Sequence, residues 1–153
     1  MHCDILIKGP RPVLIVDDDV DYSCLMQVAL MEAQVNNPIL VINDGCAALD
    51  YGKCSQSEYP WGNGEVPALV LLDLWMPKIS GLEVLSWMRG LSRWTNVPVV
   101  VFTGVEAGDE PSQALALGAS SVLMKPFTYR ELVQTARELR DSYLADRILV
   151  QAA

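Results

Sequence analysis

The stretch "VLIVDDDVDY", Val13 to Tyr22, decides the fold. Four apolar residues run straight into Asp17, Asp18 and Asp19, with Asp21 close behind. An apolar run of this length without polar alternation reads as a strand buried on both faces. The acids then stand at its carboxyl end, where like charges raise one another's free energy. A chain keeps such a cluster where something offsets the repulsion.

Working outward, the same kind of run recurs. "ILVI" (39–42), "ALVLL" (68–72), "VPVVVF" (97–102) and "SVLM" (121–124) are short and rich in Val, Ile and Leu. The segments between them carry helix signals. Residues 18–33 begin with acids and turn apolar on a helical period. Ser80 with Glu83, and Thr128 with Glu131, have the spacing of a capping box. Pro111 and Gly118 mark a helix start and stop. Leu132, Ala136, Leu139 and Tyr143 fall on one face of a last helix over 128–144. Asn43 and Asp44 after the second strand read as a helix cap.

Five βα units predict an α/β protein: a flavodoxin-like, doubly wound (βα)5 fold around a five-stranded parallel sheet of order 2-1-3-4-5. The expected division is an N-terminal extension over 1–11, one domain over 12–144, and a tail over 145–153 with no output domain. Residues 53–67 are a polar loop that contains Tyr59 and Trp61, a contact site or a cover for the sheet edge. Trp87 and Trp94 read as packing, and Met26, Met31, Met88 and Met124 as core filler.

Composition narrows the function. The chain has 153 residues and a formal net charge of −8, which argues against non-specific binding to nucleic acid or an anionic membrane. No apolar run approaches the roughly 18 residues that span a bilayer, and the N-terminus does not read as a signal peptide. Cys3, Cys24, Cys46 and Cys54 lack metal-binding spacing, and His2 is the single histidine. Reduced thiols, two or three of them packed, in a cytoplasmic protein are expected.

In an open α/β sheet, ligands sit beyond the carboxyl ends of the strands. There the first strand offers Asp17 and Asp18, the third Asp73, the fourth Thr103 and the fifth Lys125, followed by Pro126. The 2-1-3-4-5 order gathers all five into one crevice. Two unit charges about 4 Å apart repel by roughly 4 kcal/mol at an effective dielectric near 20. Three carboxylates together therefore take up a proton or a cation. Oxygen donors without His or Cys select Mg²⁺ or a similar ion. A carboxylate nucleophile, a metal, a hydroxyl and an ammonium suit phosphoryl transfer onto Asp73.

With these motifs in place, the sequence resembles a response regulator receiver domain over about residues 12 to 144. The matching stretches are "VDDD", "LLDLWMPKISGLEVL", "VVVFTG" and "LGASSVLMKPF". The resemblance implies that Asp73 is the phosphoacceptor, Asp18 a direct metal ligand and Asp17 a ligand acting mainly through water. It implies that the main-chain carbonyl of Trp75 is the third protein ligand of Mg²⁺. Thr103 matches the switch hydroxyl and Lys125 the phosphate-binding lysine, with a Lys125–Pro126 bond that is cis in the family. It further implies a sensor histidine kinase or a histidine phosphotransfer protein as partner, and autophosphatase activity at most rather than an enzyme's turnover. Phosphorylation would shift the face formed by the fourth helix, fifth strand and fifth helix, which binds a partner or a second copy in a homodimer.

Three positions depart from the family pattern. Val122 stands where an aromatic is common, which puts the usual threonine-to-aromatic coupling in doubt. Gly104 leaves extra space beside the phosphate. Trp75 and Val105 flank the approach of water and are expected to slow dephosphorylation, which the lifetime of the phosphorylated form tests. Two other functions fit parts of the pattern. A haloacid-dehalogenase-type Mg²⁺ phosphatase would use Asp17 as nucleophile. A receiver-like interaction module would not turn over phosphate.

Overall fold

The structure is a computed structural model that describes residues 10–53, 66–104 and 108–144. Five strands, β1 (Val13–Val16), β2 (Ile39–Ile42), β3 (Leu69–Asp73), β4 (Val99–Thr103) and β5 (Ser121–Met124), alternate with five helices. The helices are α1 (Val20–Glu32), α2 (Gly45–Lys53), α3 (Gly81–Gly90), α4 (Glu110–Ala116) and α5 (Tyr129–Leu139). All strands are parallel, in the order β2-β1-β3-β4-β5. This is the flavodoxin-like architecture that the sequence predicts.

The burial pattern explains the order. Every residue of β1, β3 and β4 is buried, whereas β2 and β5 are mostly half-exposed. The strands covered on both faces take the centre, and β2 and β5 stand at the edges. Alternate side chains point to opposite faces. Leu14, Val16, Val70, Leu72, Val99 and Val101 join residues of α2, α3 and α4 in one apolar layer. Val13, Ile15, Leu69, Leu71, Val100 and Phe102 join α1 and α5 in the other.

Several local expectations hold. Ser80 accepts from Glu83 N while Glu83 caps Ser80 N, a complete capping box. Gly118 follows α4 at a φ of +102°, where a side chain would be strained. Trp94 is buried edge-on against Tyr51, with ring centroids 6.0 Å apart. Trp87 is half-buried, with the Lys53 ammonium 5.6 Å from its ring centre.

Other expectations are corrected. Thr128 caps α5, but Glu131 bonds back to Phe127 N rather than to Thr128 N, so the box there is displaced by one residue. The last helix stops at Leu139 and widens into a π-turn over Arg140–Leu144, where Tyr143 pairs its hydroxyl with Ser121. Asp44 alone caps α2, accepting from Cys46 N and Ala47 N, and these bonds hold its carboxyl below the usual range. Asn43 is not a cap: its side-chain amide donates to the Asp17 carbonyl at 2.7 Å. Met26 and Met88 are core residues, but Met31 and Met124 are exposed. Cys24 and Cys46 are exposed free thiols rather than packed ones. Cys3, Cys54, His2, Tyr59 and Trp61 lie outside the described residues, as do nearly all of the N-terminal extension and the whole 145–153 tail.

Two tight contacts stand at opposite ends of the sheet. Gly81 opens α3 so close to β3 that a Cβ would stand 2.2 Å from the Asp73 carbonyl oxygen and 2.7 Å from Leu74 Cα. At the other end, Arg89 collects carbonyls. Its Nη1 donates to those of Trp94 (2.9 Å), Thr95 (3.2 Å) and Val97 (2.7 Å), and its Nε and Nη2 donate to Gly118 at 3.1 and 2.7 Å.

Candidate functional site

The carboxyl edge of the sheet brings the five residues expected at strand ends to one place. Asp17 follows β1, Asp73 ends β3, Thr103 ends β4 and Lys125 follows β5. Parallel pairing sets their height: Asp73 lies opposite Phe102, and Thr103 opposite Met124. Lys125 is then fixed by its own N–H, which donates to the Thr103 carbonyl at 2.9 Å. Asp17, Asp73 and Thr103 are buried, and Asp18 is exposed.

Asp17 is held by its main chain and by its neighbours. Its N–H bonds to the Ile42 carbonyl, its carbonyl accepts from Asn43, and its Oδ1 accepts from Asp19 N at 2.9 Å. Asp19 is the N-cap of α1, accepting from Tyr22 N, so the third acid of "DDD" serves the helix rather than the pocket. Ser23 donates its hydroxyl to the Asp19 carbonyl at 2.8 Å and ties the first turn to the same loop.

Carboxylate oxygens of Asp17, Asp18 and Asp73 lie within 4.8 Å of one another. Lys125 Nζ answers part of that charge, 2.8 Å from Asp17 Oδ2 and 3.6 Å from Asp73 Oδ2. The offset is incomplete. Burial first, and then the Asp17 charge, push the Asp73 carboxyl up to about 7 against the opposing pull of Lys125. A buried acid of raised pKa beside two others is the electrostatic condition for cation binding. Three oxygen donors without sulfur or imidazole fit a hard divalent ion.

The chain after Asp73 is tightly turned. Trp75 N–H donates to Asp73 Oδ1 at 3.3 Å, and the Trp75 indole is 60 % exposed. Ile79 N bonds to the Pro77 carbonyl around Lys78, which has a φ of +71°. This is a γ-turn of the strained, positive-φ kind. Gly81 N then bonds back to the Leu74 carbonyl at 2.9 Å and closes the loop under the site.

The departures noted in the sequence have structural counterparts. Among the described residues, a Cβ at Gly104 would meet nothing within 4 Å. Val122 packs into the layer of α2, α3 and α4. Val105 lies outside the described residues. The Lys125–Pro126 bond is trans, as is every peptide bond among the described residues, which corrects the expected cis form. Trans is the lower-energy isomer, and Lys125 reaches both acids from it.

One residue at the site escapes sequence reasoning. The Tyr22 ring lies under Lys125, with Nζ 4.5 Å from the ring centre. Its hydroxyl is buried without a hydrogen-bond partner among the described residues. Burial first, then the charges of Asp17, Asp73 and Asp19, raise its pKa far above the ordinary tyrosine value. In sequence Tyr22 is one apolar position of a helix among several, and nothing marks its proximity to residue 125.

Comparison with known proteins agrees with this geometry. The profile of the response regulator receiver domain matches residues 13–137. The "Probable methanogenesis regulatory protein FilR2" of Methanothrix harundinacea is 33 % identical over 137 residues, 90 % of this chain and 86 % of that protein. Response regulator Rcp1 of Synechocystis is 28 % identical over 144 residues, 94 % of this chain and 95 % of Rcp1. The phosphorylated cyanobacterial phytochrome response regulator RcpA superposes with a TM-score of 0.79 at 26 % identity, covering 90 % of this chain and 96 % of RcpA. The Mn²⁺-bound form of Rcp1 superposes with a TM-score of 0.77 at 28 % identity, covering 89 % of this chain and 96 % of Rcp1.

Proposed function

The chain belongs to the response regulator receiver domain family, and from that premise we propose that Asp73 is its phosphoacceptor and that Mg²⁺ is the working ion. The observation that carries this reading is the convergence of Asp17, Asp18 and Asp73 oxygens within 4.8 Å, with Lys125 reaching over two of them. Asp17, Asp18, Asp73 and the Trp75 carbonyl would hold the ion. When bound, it neutralises the acids and draws phosphoryl oxygens toward them.

The chain's own residues then divide the work. Asp73, ionised, attacks phosphorus in line, and the bond from phosphorus to the donor's imidazole nitrogen breaks as the new P–O bond forms. Lys125, freed from Asp17, pairs with a phosphoryl oxygen. Thr103, at the end of β4, donates its hydroxyl to another. Hydrolysis of the acyl phosphate resets the domain. The phosphoryl donor would be a sensor histidine kinase or a histidine phosphotransfer protein, and the setting the cytoplasm. No helix among the described residues is long and apolar enough to cross a membrane. Output through the α4–β5–α5 face, to a partner or a second copy, completes the proposal.

Incubation with acetyl phosphate and Mg²⁺, followed by mass mapping, tests it. One phosphoryl group on Asp73, abolished by Asp73→Asn and by chelation of the ion, is the expected result. Adduct on Asp17 would favour the haloacid-dehalogenase-type phosphatase instead. Failure of any incorporation, together with unchanged Trp75 fluorescence on adding Mg²⁺, would favour the interaction module.

A further inference from the structure

Lys125 has a problem of allegiance in this pocket. Its ammonium sits 2.8 Å from Asp17 Oδ2 but 3.6 Å from Asp73 Oδ2. Asp17 is also one of the acids that a divalent ion would claim. Once it does, the lysine loses its nearer ion pair and gains a cationic neighbour that repels it. A four-carbon stem at the edge of a half-exposed site would then let the ammonium drift into water.

The Tyr22 ring answers that problem. Its centre is 4.5 Å from Lys125 Nζ, within the range of a cation–π contact. A ring attracts a cation through its quadrupole and carries no net charge. It neither competes with the acids for a metal nor disappears as a partner when the metal arrives. The ring is also held firmly. Tyr22 lies in the first turn of α1, its N–H is bonded to the Asp19 cap, and its ring packs against the apolar layer of α1 and α5.

We propose that Tyr22 is a positioning residue that holds the Lys125 ammonium over Asp73 while Asp17 is engaged by the metal. The proposal rests on the phosphoacceptor reading above. It assigns the work to the ring and none to the hydroxyl. Tyr22→Phe therefore keeps the platform and removes an unpaired polar atom, whereas Tyr22→Leu keeps the apolar bulk and removes the platform.

The test uses the full chain with labelled lysine. In the unmodified protein the Lys125 ε-protons should be shifted upfield by the Tyr22 ring, and the shift should persist at saturating Mg²⁺. Tyr22→Phe should retain it and Tyr22→Leu should lose it. Phosphorylation from acetyl phosphate at saturating Mg²⁺ should fall about fivefold to tenfold in Tyr22→Leu, as the loss of a half-exposed cation–π contact implies, and change less than about twofold in Tyr22→Phe. The Mg²⁺ midpoint should stay within about twofold of the parent's in both, since the ring offers no ligand to the ion.

Absence of the upfield shift in the Mg²⁺-loaded parent overturns the proposal, whether or not either variant folds. So does a Tyr22→Leu rate equal to the parent's, or a rate that falls only in step with Mg²⁺ affinity. A parent that incorporates no phosphate on Asp73 would sink the function reading instead, and the proton shifts would still report on the platform.

Discussion

Strands β4 and β5 begin and end under opposite electrostatic rules. Near their amino ends one cation, Arg89, donates to the carbonyls of Trp94, Thr95, Val97 and Gly118. Every partner is a neutral main-chain oxygen, and the guanidinium fork satisfies several at once. At their carboxyl ends one cation, Lys125, faces Asp17 and Asp73 while Asp18 stands beside them. The charge there is left over, and burial first, then the charge of Asp17, holds Asp73 up to about 7. The first corner is satisfied and fixes loops. The second is unsatisfied and is ready for a ligand. Stability and reactivity are thus placed a strand's length apart on the same elements.

The largest effect expected on this division comes from Gly81, which joins the two properties. A methyl group at Gly81 would collide with main-chain atoms of Asp73 and Leu74, which cannot rotate away. Gly81→Ala should cost about 3 kcal/mol or more in urea unfolding. It should also slow phosphorylation, because the displaced atoms belong to the acceptor itself.

Next comes the satisfied corner. Arg89→Met removes a donor from four carbonyls, of which that of Trp94 keeps its bond from Val97 N, and should cost roughly 2–3 kcal/mol in urea unfolding. At temperatures where the variant is folded, its phosphorylation rate should stay within about twofold of the parent's. A large loss of rate would break the comparison, since it would mean that the two ends are not independent.

The smallest effect sharpens it. Without metal, Asp73 holds a proton in the folded state up to about pH 7, whereas the unfolded chain releases it near the ordinary carboxyl value. Between those values the folded state binds more protons, so stability falls as pH rises. The contribution is fully present below about pH 4 and is lost by the time pH has passed through about 7. Urea midpoints across that range in chelator should show the decline in the parent, and Asp73→Asn should flatten it.

Much of this was legible in the chain. All five strands announce themselves as short runs rich in Val, Ile and Leu set between helix signals. Asp17, Asp73, Thr103 and Lys125 are readable for the same reason: each stands where such a run stops. What the sequence concealed is of a different physical kind. Arg89 binds carbonyls, which every residue carries, so no side chain advertises the contact. Asn43 looked like a cap because its type caps helices, yet its amide crosses to β1. The helical period expected over residues 18–33 does not single out one face of α1, because apolar residues occupy both. Met26, Ala29 and Leu30 are buried while Leu25, Val28 and Met31 are exposed. A helix apolar all round gives periodicity nothing to choose between. Tyr22 is hidden in that same helix.

Arg89's taste for the main chain has a consequence for inheritance. What it grips at position 95 is an oxygen present in every amino acid, so Thr95 can drift through many substitutions while the bond endures. The corner's genetic fragility is thereby concentrated in very few codons: 89, which supplies the fork, and 118, where a Cβ would stand 3.0 Å from the Arg89 Nε.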